Sequence, residues 1–165
     1  MLKKFLPDMY VKSIFDIDEE FLAKNNIKML ILDIDNTLVP HGADVTDEIT
    51  GWAKEISGKG FILCIISNNN QERVELFNKD IGIDYIFKGG KPRKKSYEKL
   101  IDQYKMDKAF VATAGDQLLT DVLGGHNAGI RAVYVEPIDK NEPFYIKIKR
   151  LAEKVLMILL GFKKG

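Results

Sequence analysis

Residues 28–37 read KMLILDIDNT, and this stretch decides the fold. The apolar run Met29–Leu32 has no polar break and stops at Asp33 and Asp35. Such a run fits a strand buried on both faces, as in a parallel sheet covered by helices. Phe61–Ser67 (FILCIIS) repeats the pattern, and shorter runs follow at Ile83–Phe87, Ala109–Ala114 and Ala132–Val135. Helical segments alternate with them. Asp47–Ser57 precedes Gly58, Asn70–Lys79 follows the cap residues Asn68 and Asn69, Lys94–Tyr104 follows Pro92, and Leu118–Asn127 precedes Gly129. This alternation predicts an α/β fold: a doubly wound, Rossmann-like parallel sheet of about five strands, in one domain over residues 1–165.

Polar residues gather where the strands end. Asp33 and Asp35 follow the first, Ser67 and Asn68 the second, Lys91 the third, and Gly115-Asp116 the fourth. In an open α/β sheet the ligand crevice lies outside these carboxyl ends, so residues distant in sequence are expected at one edge.

Asp33 and Asp35 point the same way if the chain stays extended. Unpaired, they repel and raise each other's pKa. A hard divalent cation relieves that, and oxygen donors suit magnesium. A carboxylate is a competent nucleophile toward phosphorus. A second carboxyl beside it can protonate a leaving alcohol and then activate water. Asp116, at a strand end, could hold a cation, with Asp121 one turn further on supporting it. The Ser67 hydroxyl and the N–H groups of Asn68 and Asn69 would receive phosphate oxygens at a helix start. Lys91 would offset the carboxylates and the phosphate. Each element also has a plainer reading: two aspartates in a turn, a helix cap at Ser67 or Asp116, a solvated Lys91 before Pro92.

The motifs in order are LDIDNTLV, IISNNN, GGKPRKKS and AGDQLLTDVLGGHNAG. Together they resemble the haloacid-dehalogenase (HAD) phosphatase superfamily, whose pattern is Asp-x-Asp-x-Thr, Ser or Thr, Lys, then Gly-Asp and a further Asp. The resemblance is closer to the uncapped subclass III A, and within it to the YqeG-type phosphatases. It rests there on the Asn run with Arg73-Val74, the phrase GDQLLTD and the opening LPDMYVKSIFDI, and it covers Leu6 to Arg150. The resemblance implies Asp33 as nucleophile and metal ligand. It implies Asp35 as general acid/base, with its main-chain carbonyl on the metal. Asp116 becomes the third ligand, with Asp121 and Thr37 in support, and Ser67 and Lys91 hold the phosphoryl group. Mg²⁺ is the implied cofactor. Dehalogenases of this superfamily lack the second aspartate, so Asp35 disfavours that chemistry. His126 and Asn127 read as helix-end residues.

No lid of domain size fits between Leu38 and Phe61 or between Ser67 and Lys91, so an uncapped site is expected. An open site suits a large substrate whose own body excludes water. YqeG-type proteins also resemble mitochondrial phosphatidylglycerophosphate phosphatases, which makes a lipid head-group phosphate the leading substrate. The alternatives are a soluble sugar phosphate, nucleotide or phosphoprotein, and a non-catalytic phosphate- or partner-binding module. Intact Asp33, Asp35, Lys91 and Asp116 argue against the last.

Composition narrows the field. Lys and Arg number 25 against 24 Asp and Glu, so bulk charge points to no nucleic-acid partner. The lone Cys64 excludes an internal disulfide and a cysteine zinc site, and its apolar surroundings predict burial. No secretory signal or membrane-length apolar run is visible, so a cytoplasmic protein is expected, peripheral to the inner membrane face if its substrate is a lipid. At the amino end, Leu2, Phe5, Leu6, Met9 and Tyr10 follow helical spacing, limited by Pro7. At the other end, Ile146–Phe162 joins the apolar run Val155–Leu160 to Lys147, Lys149, Arg150 and Lys154, with Lys163 and Lys164 beyond. The plainer reading is a helix that buries Val155, Leu156 and Leu159 on the sheet. The other is a basic amphipathic segment on an anionic membrane surface.

Overall fold

The computed structural model describes residues 2–139 and 142–161. Its core is a six-stranded sheet of β1 (Met9–Val11), β2 (Met29–Leu32), β3 (Ile62–Ile66), β4 (Asp84–Ile86), β5 (Val111–Gly115) and β6 (Arg131–Val135). The order is β1-β6-β5-β2-β3-β4, with every pair parallel. The chain runs outward from β2 in both directions, so the switch point lies at β2, which carries Asp33 at its carboxyl end.

Among the described residues six α-helices surround the sheet: α1 (Glu19–Lys24), α2 (Asp47–Gly58), α3 (Gln71–Asn78), α4 (Lys95–Gln103), α5 (Leu123–Ala128) and α6 (Phe144–Leu159). The period-2 alternation of the strands sends Leu30, Leu32, Leu63 and Ile65 to one face, with Leu22, Ile49, Trp52, Ile56, Val74 and Phe77 of α1–α3. Met29, Ile31, Cys64 and Ile66 face the other way, onto Tyr97, Leu100 and Ile101 of α4 and Ala128 of α5. Cys64 is buried as expected, and burial pushes its thiol up to about 12, so it is inert. No inserted domain separates β2 from β3 or β3 from β4; α2 and α3 fill those intervals.

Three local expectations are corrected. The sheet gains a sixth strand, β1, where helical spacing was read. Only Leu2–Phe5 forms a short helical turn. Pro7 ends it, Asp8 N–H donates to the Ala132 carbonyl at 2.9 Å, and the chain then pairs with β6. The cap of α3 is Asn70, whose side chain accepts from Arg73 N–H, not Asn68 or Asn69. The segment after Asp116 begins with one wide π-type turn, Leu118–Val122, before α5.

The carboxyl-terminal helix departs from the plainer of its two readings. α6 buries Ile146 and Glu153, while Val155 and Leu159 stay exposed at 50% and 71%. The helix that buries Val155 and Leu159 on the sheet is therefore not formed. Arg150, counted with the outward lysines, turns inward. Lys163, Lys164 and Phe162 lie outside the described residues.

Candidate active site

The loop after β2 folds back on itself. Asn36 N–H donates to the Val39 carbonyl at 2.7 Å, Leu38 N–H donates to that of Ile34 at 2.9 Å, and Asn36 takes φ of 64°. An Asn tolerates that left-handed conformation better than most residues. Asp33 and Asp35 both border one pocket of about 110 Å³, together with Ser67, Asn68, Asn69 and Lys91. Thr37, Asp116 and Asp121 lie buried beside it.

Lys91 is the electrostatic hub. Its ammonium donates to Asp33 Oδ1 at 2.5 Å and to Asp121 Oδ1 at 2.6 Å, with its side chain nearly enclosed. Burial opposes its charge, but Asp121 and Asp33 hold its pKa above the ordinary lysine value. Asn68 fixes the backbone beneath it, donating to the Lys91 carbonyl and accepting Lys91 N–H at 2.9 Å. The side chain of Asn68 is thus spent on Lys91. Asn69 N–H is spent on Ser67 Oγ at 3.2 Å.

Asp33, Asp116 and Asp121 each bring a carboxylate oxygen within 4.8 Å of the others. Three buried hard oxygen donors fit a magnesium-sized cation. The expected set was Asp33, Asp35 and Asp116. The carboxylate cluster joins Asp121, expected only in support, to Asp33 and Asp116, while Asp35 was expected on the metal through its main-chain carbonyl. The Asp35 carboxylate accepts instead from Gly42 N–H at 2.9 Å, from the Asn69 amide, and from Arg73 Nη2 at 3.1 Å. The two aspartates share the pocket, but their carboxylates serve different partners.

These environments set the charges apart. Burial first, then Asp121, pushes Asp33 up to about 7 despite Lys91. Burial, outweighing the pull of Arg150, pushes Asp116 up to about 8. Asp35 is also partly buried, yet the donors Gly42, Asn69 and Arg73 outweigh burial and hold it below the usual carboxyl range. Asp35 thus stays ionised to lower pH than an ordinary carboxyl.

Gly115 is required by the same packing. A Cβ there would overlap the carboxylate carbon of Asp121, so only glycine lets that side chain fold back to accept Gln117 N–H at 3.2 Å. Thr37 Oγ1 donates to Asp116 Oδ1 at 3.2 Å and ties the β2 loop to the end of β5.

Arg150 of α6 had no place in the expected site. It donates to the carboxylate and the main-chain carbonyl of Asp116. It also contacts both carboxylate oxygens of Glu142 and reaches Glu153. Glu142 in turn accepts from the Asn36 amide at 2.7 Å. A chain Asn36–Glu142–Arg150–Asp116–Thr37 therefore ties the β2 loop to the acidic cluster. Arg73, noted only within the Asn-rich phrase, acts on Asp35. His126 holds the amino-terminal segment through Lys4 and Asp8, and Asn127 donates to Pro92; neither enters the pocket.

A family model described as haloacid dehalogenase-like hydrolase matches residues 7–135. The chain is 39% identical over 165 residues to "Probable phosphatase YqeG" of Bacillus subtilis (strain 168), covering 99% of this chain and 96% of that protein. It is 23% identical over 163 residues to phosphatidylglycerophosphate phosphatase 1, chloroplastic/mitochondrial, of Arabidopsis thaliana. That match covers 92% of this chain but 47% of the plant protein, so the chain spans about half its length. Among solved structures, 3-deoxy-D-manno-octulosonate 8-phosphate phosphatase of Moraxella catarrhalis, in complex with magnesium ion, phosphate ion and KDO, superposes with a TM-score of 0.56. Identity there is 15%, with 86% of this chain and 92% of that chain covered, so the likeness is one of fold.

Proposed function

The chain belongs to the haloacid dehalogenase-like hydrolase family, and from that premise we propose a magnesium-dependent phosphatase that works through an aspartyl-phosphate on Asp33. The observation that carries the reading is the convergence of Asp33, Lys91, Asp116 and Asp121 at the carboxyl ends of β2, β4 and β5, beside an open pocket. The substrate phosphoryl group enters past Ser67 and the Asn68 backbone. Asp33 attacks phosphorus and the ester oxygen leaves. Lys91, already on Asp33, moves its ammonium toward the equatorial phosphoryl oxygens as negative charge collects there. Asp35 gives its proton to the leaving alcohol in the first step and takes one from water in the second. Its resting ionised state suits the second step; for the first it must gain a proton as substrate displaces its partners.

The chemistry of the Asp33, Asp116 and Asp121 donor set fits Mg²⁺, with the Asp35 main-chain carbonyl as a further ligand by family resemblance. Bound there, the ion supplies charge to offset phosphate against carboxylates. Thr37 acts as a support through its hydrogen bond to Asp116. Residues 1–165 serve as one uncapped domain.

For the substrate, we favour a phosphate monoester on a lipid head group over a soluble ester, with the protein working at the inner face of a membrane. Similarity to the plant phosphatidylglycerophosphate phosphatase supports this. So does a pocket with no inserted lid domain among the described residues, which leaves room for a substrate anchored elsewhere. The test is a screen of lipid, sugar and nucleotide phosphates with magnesium and with chelator. Release of phosphate from a lipid monoester in preference to the soluble esters supports the reading. Turnover in excess chelator by metal-stripped protein defeats the magnesium assignment.

A further inference from the structure

On α6 the usual amphipathic order is reversed. Phe144, Ile148, Leu151, Val155, Ile158 and Leu159 are all exposed, from 50% to 78%. At helical spacing they fall within an arc of about 100°, one continuous stripe some 16 residues long, or about 24 Å. The helix is held to the protein by its other side, through buried Ile146 and Glu153 and through the inward Arg150. Six large apolar side chains on one outward stripe far exceed the scattered surface residue that needs no account.

The charges around the stripe point to one occupant. The only acidic residue of α6, Glu153, is 2% exposed and spent on Leu119 N–H and Arg150. Lys147 and Lys154 are exposed along one flank, and Lys149 is exposed further round, toward the pocket. The outward surface is therefore apolar at its centre, basic along one edge and free of anions within the helix. That pattern matches a bilayer interface, where apolar side chains enter the acyl boundary and lysines reach anionic head groups. A second copy of the chain fits worse, because pairing two stripes brings both sets of lysines together. No described helix is long and apolar enough to cross a membrane, so α6 would lie in the interface plane.

We propose that the outward stripe of α6 is a docking surface for an anionic lipid bilayer. Tyr145, Ile146 and Lys149, in the first turns of the same helix, border the pocket of Asp33 and Lys91. Docking therefore sets the mouth of the pocket beside the head groups. The inference rests on the phosphatase reading only for what the site then meets there.

The test is sedimentation of the full chain with phosphatidylglycerol–phosphatidylcholine vesicles and with pure phosphatidylcholine vesicles. Soluble aryl phosphate turnover is measured in parallel without vesicles. Wild type should bind the anionic vesicles at low salt and lose binding as salt rises. Leu151→Ser with Val155→Ser and Ile158→Ser should abolish binding and leave aryl phosphate turnover unchanged. Lys147→Gln with Lys154→Gln should weaken binding by about fivefold per lysine. Absent binding to anionic vesicles at low salt overturns the proposal, as does binding that the triple serine variant retains. So does a dimer in solution that the triple variant converts to monomer. If vesicles bind but no phosphate ester is hydrolysed, the docking surface stands and the phosphatase reading fails.

Discussion

Arg150, from the carboxyl-terminal helix, clamps Asp116 by both its carboxylate and its main-chain carbonyl. The same guanidinium neutralises Glu142, which in turn holds Asn36 in the loop that carries Asp33 and Asp35. The helix and the acidic cluster are thus one electrostatic unit, and Asp116 is oriented from a point 34 residues away in sequence.

Arg150→Met should leave Asp116, Glu142 and Glu153 without their shared cation. Breaking a buried pair from one side costs about 3–5 kcal/mol. Urea unfolding of metal-free protein should show a loss of that order, and titration calorimetry should show weaker magnesium binding. A variant with unchanged stability and unchanged magnesium affinity would mean that Arg150 is only a surface residue.

The raised values of Asp33 and Asp116, about 7 and about 8, make a pH prediction for metal-free protein. Both carboxyls ionise near 4 in the unfolded chain. Between there and their folded values, the native state binds more protons than the unfolded state, so stability falls as pH rises. The melting temperature without metal should therefore drop from about pH 5 to pH 8. Saturating magnesium binds the ionised native form and should flatten the drop. Parallel curves with and without magnesium would show that these carboxyls do not hold the ion.

Arg73 keeps Asp35 ionised, with Asn69 and Gly42. Arg73→Met should raise the Asp35 pKa toward the ordinary value, so at any pH above it more Asp35 carries a proton. Turnover of a poor alkyl leaving group should then gain relative to a good aryl one, by up to about tenfold per pKa unit recovered. The comparison is the ratio of kcat/KM for the two esters. A ratio that stays level or falls would remove Asp35 as proton donor.

The sheet was legible because strands buried on both faces leave long apolar runs, as at Met29–Leu32 and Ile62–Ile66, and polar residues mark where each run ends. That rule alone placed Asp33, Ser67, Lys91 and Asp116 at one edge. Strand β1 escaped it because three residues on an edge carry too short a pattern, and Leu2 to Tyr10 happen to repeat at helical spacing. The place of Asp121 in the carboxylate cluster depended on Gly115, whose missing side chain lets Asp121 fold back; spacing alone does not encode that approach. α6 misled for a physical reason. Periodicity locates an apolar stripe but assumes that it faces inward, whereas here the polar Arg150 and Glu153 face the protein.

The central claim is that the phosphoryl group passes through the carboxylate of Asp33. Protein mixed with magnesium and an aryl phosphate can be quenched in acid and treated with borohydride, which reduces an aspartyl phosphate to homoserine. Mass spectrometry of the peptide spanning residues 28–37 reads the outcome. The account predicts homoserine at position 33 in wild type, and none in Asp33→Asn, which should stay folded but lose turnover. Homoserine at another aspartate, or an Asp33→Asn variant that keeps about a tenth of the wild-type rate, would contradict it.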